Sequence, residues 1–196
     1  MSTVIGETSR LSMRLACVED LPAVVDIVQR VLPKMHAIGN YQWNDKYPLH
    51  ADFKKDVDNA NLWLVVEQVK FDSEASSNET SNRSGSERVI AVAALTEDQS
   101  PEYADCGWDL SERAIVMHRA AVHPDYHRGG VASMLFAQAD VLSRERGYNL
   151  CRIDTNELNV AMQAVIKKAG YIFSGKIRLL SKPEHMRFMC FEKRLA

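Results

Sequence analysis

The chain has 196 residues, 46% of them hydrophobic and 26% charged, with 24 basic against 26 acidic side chains for a formal net charge of −2. This composition supports one globular domain with an ample core and excludes a polybasic nucleic-acid binder or an acidic tail. No apolar run approaches the ~18–20 residues that span a bilayer, the start MSTVIGETSR has no signal-peptide apolar segment, and Cys17, Cys106, Cys151 and Cys190 form no CxxC pair, so a cytoplasmic chain with reduced thiols and no membrane partner is expected.

Residues 1–10 are polar and read as a flexible tail, leaving 11–196 as the domain. Leu11 to Cys17 alternates apolar and polar side chains, a half-buried strand. Asp20 is placed to cap a helix with Pro22 in its first turn. The apolar stripe is Leu21, Val24, Val25, Val28, Val31 and Leu32, and Pro33 is expected to stop it. A second helix is expected over 51–57, with Phe53 and Val57 one turn apart. Strands follow at 62–69 and 88–96, both rich in β-branched residues. Between them the serine-rich segment 72–88 has only Ala75 as an apolar side chain and reads as a mobile polar hairpin loop. A strand over 114–122 leads through HPDYHRGG to a helix over 131–146, with Val131, Leu135, Ala139 and Leu142 on one face and Gly147 as its terminator. A strand over 149–155 feeds a helix that opens near Asn159 and closes at Gly170, with Met162, Val165, Ile166 and Ala169 as its stripe. Strands over 172–178 and 187–193 end the chain. The order β-α-α-β-β-β-α-β-α-β-β is that of a single-domain mixed α/β fold with a central sheet flanked by helices.

The segment RAAVHPDYHRGGVASML, residues 119–135, holds the strongest signal. A strand runs into a short loop with Gly129 and Gly130, and a helix begins at once. Helix N-termini carry unpaired N–H groups and a partial positive charge, and glycines let the main chain approach a ligand closely. The construction suits a phosphate or pyrophosphate. It is neither GxxxxGK[ST] nor GxGxxG. A plain strand-to-helix turn that needed glycine is the competing reading.

Val122-His123-Pro124 followed by His127-Arg128-Gly129-Gly130-Val131-Ala132 resembles the signature of the GNAT superfamily of N-acetyltransferases, in which a strand ending Val-x-Pro precedes Gln/Arg-x-x-Gly-x-Gly/Ala. Residues 14–25 and 154–171 resemble that family's first strand and helix and its fifth strand and following helix, and the element order is the family's too. The whole resembles uncharacterised bacterial small-molecule acetyltransferases. The resemblance implies a GNAT fold with acetyl-CoA as co-substrate. The pyrophosphate would lie on the loop amides of His127, Arg128, Gly129, Gly130, Val131, Ala132 and Ser133, and the pantetheine arm beside Ala121, Val122 and Asn159. Two positions depart from the pattern. His127 stands where the signature has Gln or Arg, and Ile166 stands where many members place a tyrosine that protonates the departing thiolate.

Acetyl transfer to an amine needs a base for the amine and a polarised thioester carbonyl. His118, on the 114–122 strand, and Glu97, at the end of the preceding strand, are the candidate bases. Gln42, Trp43, Tyr103 and Trp108 are candidates for the acceptor site, where aromatic walls suit an amine with an apolar body. The acidic Glu102, Asp105 and Asp109 favour a cationic acceptor. His123 and His127 do not form a metal pair, because Pro124 opposes the helix that HxxxH would need, so no metal is expected. The expected activity is acetyl-CoA-dependent acetylation of a primary amine on a small molecule by direct attack in a ternary complex. An acyl-CoA-binding sensor without turnover and a protein or peptide acetyltransferase are the alternatives. The expected partners are a small-molecule amine and no nucleic acid, with a homodimer, the commonest assembly, left open.

Overall fold

The computed structural model describes residues 10–69, 86–126 and 130–196. Seven strands form one sheet: β1 (Arg10–Leu15), β2 (Leu62–Val69), β3 (Ser86–Thr96), β4 (Ile115–Val122), β5 (Leu150–Asn156), β6 (Ile172–Ile177) and β7 (Phe188–Arg194). Their spatial order is β1-β2-β3-β4-β5-β7-β6. Only the β4–β5 pair is parallel; the others are antiparallel. Among the described residues four α-helices accompany them: α1 (Leu21–Ala37), α2 (His50–Asp58), α3 (Val131–Glu145) and α4 (Val160–Lys168). Among the described residues no helix is long and apolar enough to cross a membrane. Residues 1–9 of the expected tail and 72–85 of the expected polar loop 72–88 lie outside the described residues, as do residues 70, 71 and 127–129. Arg10 belongs to β1 and residues 86–88 to β3, which corrects the ends of both expected segments.

Side-chain alternation covers both faces of the sheet. Leu62, Leu64 and Val66 of β2, with Val92 and Ala94 of β3, point to Leu21, Val24, Ile27 and Val28 of α1 and Phe53 of α2. Val65, Ala93 and Leu95 point the other way, to Val131, Leu135, Phe136 and Ala139 of α3. Near-continuous apolar runs in β2 and β3 are what a sheet covered on both faces requires.

Helix α1 continues through Pro33 to Ala37, which corrects the expectation that Pro33 stops it. The carbonyl that loses its hydrogen bond belongs to Gln29, on the exposed face, where water can replace the missing N–H. The other boundaries agree with the sequence reading to within two residues. Asn159 lies just outside α4 as its cap, with Oδ1 accepting from Met162 N at 3.2 Å.

Two irregularities open the sheet at its centre. The β4–β5 register covers only Ile115–Met117 against Cys151–Ile153, although β4 runs on to Val122 and β5 to Asn156. Beyond Met117 the ladder between the two strands stops, and the edge of β4 from His118 to Ala121 is not paired with β5. On its other side β4 carries a bulge: Ala94 pairs with His118 and Val92 with Ala121, so Arg119 and Ala120 oppose Ala93 alone. Arg119 takes φ +51°, an unfavourable value for a side-chain-bearing residue. Its guanidinium is held by Asp56 of α2 through two bonds of 2.7 Å and donates to Tyr47 Oη at 3.2 Å.

Candidate active site

The diverging strands form the floor of a cleft of about 910 Å³. At one end lies the N-terminus of α3. Gly130 caps it at φ +74°, a conformation that favours glycine, and Ser133 N closes the first turn on Gly130 O at 2.9 Å. Ahead of Ser133, the N–H groups of Val131 and Ala132 have no acceptor within the helix to satisfy them. Gly130, Val131, Ala132 and Ser133 line this end, with Ala121 and Val122 of β4 and Asn159, Met162 and Val165 at the start of and along α4. The arrangement offers main-chain donors to an anion and an apolar trough beside them.

The other end is polar and aromatic. Tyr103, on the short turn Pro101–Cys106, donates its hydroxyl to Asp154 Oδ1 on β5. His118, beyond the point where the strands part, places Nε2 3.1 Å from Asp98 O. A carbonyl only accepts, so Nε2 carries the hydrogen and Nδ1 is the basic atom of the neutral ring. Burial holds the His118 pKa below its ordinary value, against the opposing pull of Asp154. Gln42 spans the cleft's end: its Oε1 accepts from Asn156 N at 3.0 Å, and its carbonyl accepts from Lys182 Nζ at 2.9 Å. Lys182 also lies 3.8 Å from the centre of the Tyr47 ring. Trp43 is buried in the α1 core yet presents an edge to the cleft, serving both the packing and the wall.

Some expected residues are elsewhere. Glu97 is not on the cleft. It accepts from Arg113, Arg146 and Tyr148 at 2.9–3.0 Å, and these bonds outweigh burial to lower its pKa. A carboxylate so occupied is a poor base, which corrects its candidacy. Trp108 is likewise no acceptor wall: it packs edge-on to Tyr103 and lies 4.9 Å from the buried Arg152 guanidinium. Glu102 binds Ser100 Oγ and Leu180 N, and Asp109 caps Ser111, so neither lines the cleft. Ile166 is buried in the α3-side core, not turned to the cleft. His127, Arg128 and Gly129 lie outside the described residues. Asp154, Lys182 and Tyr47 are cleft residues that the sequence reading passed over. The Asp154 signal was present in a strand-ending DTN, but nothing local distinguished it from an ordinary strand end.

Among the described residues no group of His, Cys, Asp and Glu is placed to hold a metal. No curated protein matches the chain. Solved structures do. A GNAT-family acetyltransferase from Streptococcus agalactiae is 22% identical with a TM-score of 0.70, over 95% of this chain and 96% of that one. A GNAT-family acetyltransferase from Listeria monocytogenes is 16% identical with a TM-score of 0.64, over 94% and 95%. The Escherichia coli ribosomal-protein-S18-alanine N-acetyltransferase is 15% identical with a TM-score of 0.59, over 95% of each chain. These likenesses establish the shared fold. The family model of the Acetyltransferase (GNAT) family matches residues 37–171, and this chain, with its parted central strands and glycine-capped helix, belongs to that family.

Proposed function

We propose that this protein is an acetyl-CoA-dependent N-acetyltransferase that acetylates the primary amine of a small molecule by direct attack in a ternary complex. One observation carries the reading: a phosphate-suited helix terminus, His118 and the Asp154 carboxylate line a single cleft between the parted strands. The family generally uses acetyl-CoA, and the residues present fit it. Gly130 and the α3 first turn would take the pyrophosphate, and Val122, Met162 and Val165 would flank the pantetheine arm. When bound, it supplies the activated acetyl group.

The remaining work falls to this chain. Asp154 attracts the acceptor's ammonium into the cleft, with Tyr103 fixing the carboxylate's orientation. His118 Nδ1 takes a proton from the amine, while the Nε2–H bond to Asp98 O holds the ring in place. Asp154 then steadies the imidazolium. The β4 edge from His118 to Ala121 presents main-chain groups where a carbonyl would be polarised. Ile166 has no proton to give, so the departing thiolate is protonated by solvent. Trp43, Tyr47, Tyr103, Leu179 and Phe188 wall the acceptor end, which favours a small molecule over a protein chain. Four free thiols support a reducing compartment such as the cytoplasm.

The test is free-thiol release from acetyl-CoA across a panel of primary amines, with CoA binding measured by calorimetry. Amine-dependent release supports the enzyme. Binding without release favours the sensor reading, and no binding overturns the assignment of the cleft.

A further inference from the structure

We infer that the acceptor carries a carboxylate as well as its amine, in the manner of an α-amino acid with an apolar side chain, and that Lys182 reads that carboxylate. The inference rests on the proposed transferase reading and adds the substrate class. It begins with the charges on the cleft. Among the described residues Asp154 is the carboxylate that lines it, and one of its oxygens is taken by Tyr103. Arg119 is a cation already matched by Asp56, and Lys34 and Lys168, which also line the cleft, are exposed to solvent. Lys182 is different. It is half-buried, its ammonium donates to the neutral Gln42 carbonyl and sits over the Tyr47 ring, and none of the ion pairs among the described residues includes it.

A partly desolvated ammonium whose direct contacts are a carbonyl and a ring gains from an anion that joins it. Burial weakens the proton affinity of Lys182, and the more distant charges of Asp154 and Asp52 partly restore it. An ammonium has three N–H donors, so one bond to Gln42 O leaves capacity for a ligand. The loop that carries Lys182 is anchored: Leu180 N donates to Glu102 at 3.0 Å and Arg178 pairs with Glu184 at 3.0 Å. The cation is therefore presented by a held loop. A ligand with a cationic and an anionic group can span from Asp154 to Lys182, while Trp43, Leu179 and Phe188 receive its apolar body. A single ammonium matches a monoanionic carboxylate better than a dianionic phosphate. The support for a cationic acceptor moves to Asp154, because Glu102, Asp105 and Asp109, on which that expectation leaned, are not cleft residues.

The test uses the full-length protein and apolar α-amino acids, their α-amides and their decarboxylated amines. Thiol release should give a kcat/KM at least about tenfold higher for each acid than for its amide, expressed mainly in KM. Lys182→Met should collapse that ratio towards one, and Lys182→Arg should restore most of it. A purely structural role for Lys182 would leave the ratio unchanged while lowering stability. A wild-type ratio near one, or a preference that survives Lys182→Met, overturns the inference. If no amine in any arm supports release, the transferase reading fails, and calorimetry with N-acetyl amino acids and their amides then decides the matter. Acid-selective binding lost in Lys182→Met supports the carboxylate site, and equal or absent binding of acid and amide overturns it.

Discussion

Arg119 and Asp56 meet through two parallel hydrogen bonds of 2.7 Å, joining the β4 bulge to helix α2. Both side chains are largely buried, and the pair holds an arginine whose backbone is in the left-handed region. The bulge turns β4 away from β5 and so helps to set the width of the cleft. Removing one partner leaves an uncompensated buried charge. Asp56→Ala should therefore cost about 3–5 kcal/mol in chemical denaturation and reduce thiol release even under conditions where it is folded. Lys54→Ala, which breaks an exposed pair with Asp58 one turn away, should leave both readouts unchanged. Equal effects of the two variants would show that the buried pair does not fix the bulge.

Gly130 tests the anion end. A Cβ there would meet nothing within 4 Å among the described residues, so the cost of substitution is backbone conformation, about 1–2 kcal/mol at φ +74°. Gly130→Glu adds a carboxylate at the helix terminus proposed for the pyrophosphate. Calorimetry should show CoA affinity lowered at least about tenfold in Gly130→Glu. Gly130→Ala should lower it far less, since it shares the backbone strain without the charge. Equal affinity in the wild type and the glutamate variant would reject this placement.

Local pattern made much of this molecule legible, and long-range geometry the rest. The β2 boundaries and the α3 stripe follow from periodicity, because each depends on residues a few positions apart. Asp154 acquires its role only where the register with β4 stops, a property of two strands that no single segment reveals. Lys182 meets Gln42 across 140 positions in sequence, and the loop that holds it looked like an ordinary connection. Glu97 shows the converse. Its type and its place at a strand end suited a base, but Arg113, Arg146 and Tyr148 converge on it from elsewhere in the chain. Trp108 looked like a ligand wall and instead stacks on Arg152, a buried cation invisible to local reading.

His118 sets the expected pH dependence. Burial disfavours the charged ring, so its pKa lies below the ordinary 6.5. The neutral, proton-accepting form therefore persists to lower pH than in an exposed histidine. The acidic limb of kcat/KM should fall below pH 6.5 when measured with an acceptor whose own ionisation is accounted for. His118→Gln should remove that limb and lower kcat by about 10²–10⁴-fold. A limb that survives the substitution would assign the proton transfer to another group.

Gly175 links the edge of the sheet to the acceptor end. A Cβ on Gly175 would come within 2.9 Å of Cys106 Cβ and 3.1 Å of its Cα, too close for either to stay where it is. Cys106 ends the turn that carries Tyr103, and both its Cα and its Cβ are fixed by the main chain, so a rotamer change cannot relieve the clash. Gly175→Ala should push β6 and the turn apart, costing about 1–3 kcal/mol in denaturant unfolding. Because Tyr103 orients Asp154, kcat/KM should fall as well. Ser174→Ala, on the exposed neighbouring position of the same strand, changes this edge without a clash and should change neither quantity. If Gly175→Ala destabilises the protein but leaves kcat/KM intact, the turn tolerates the shift and Tyr103 is not what aligns the carboxylate.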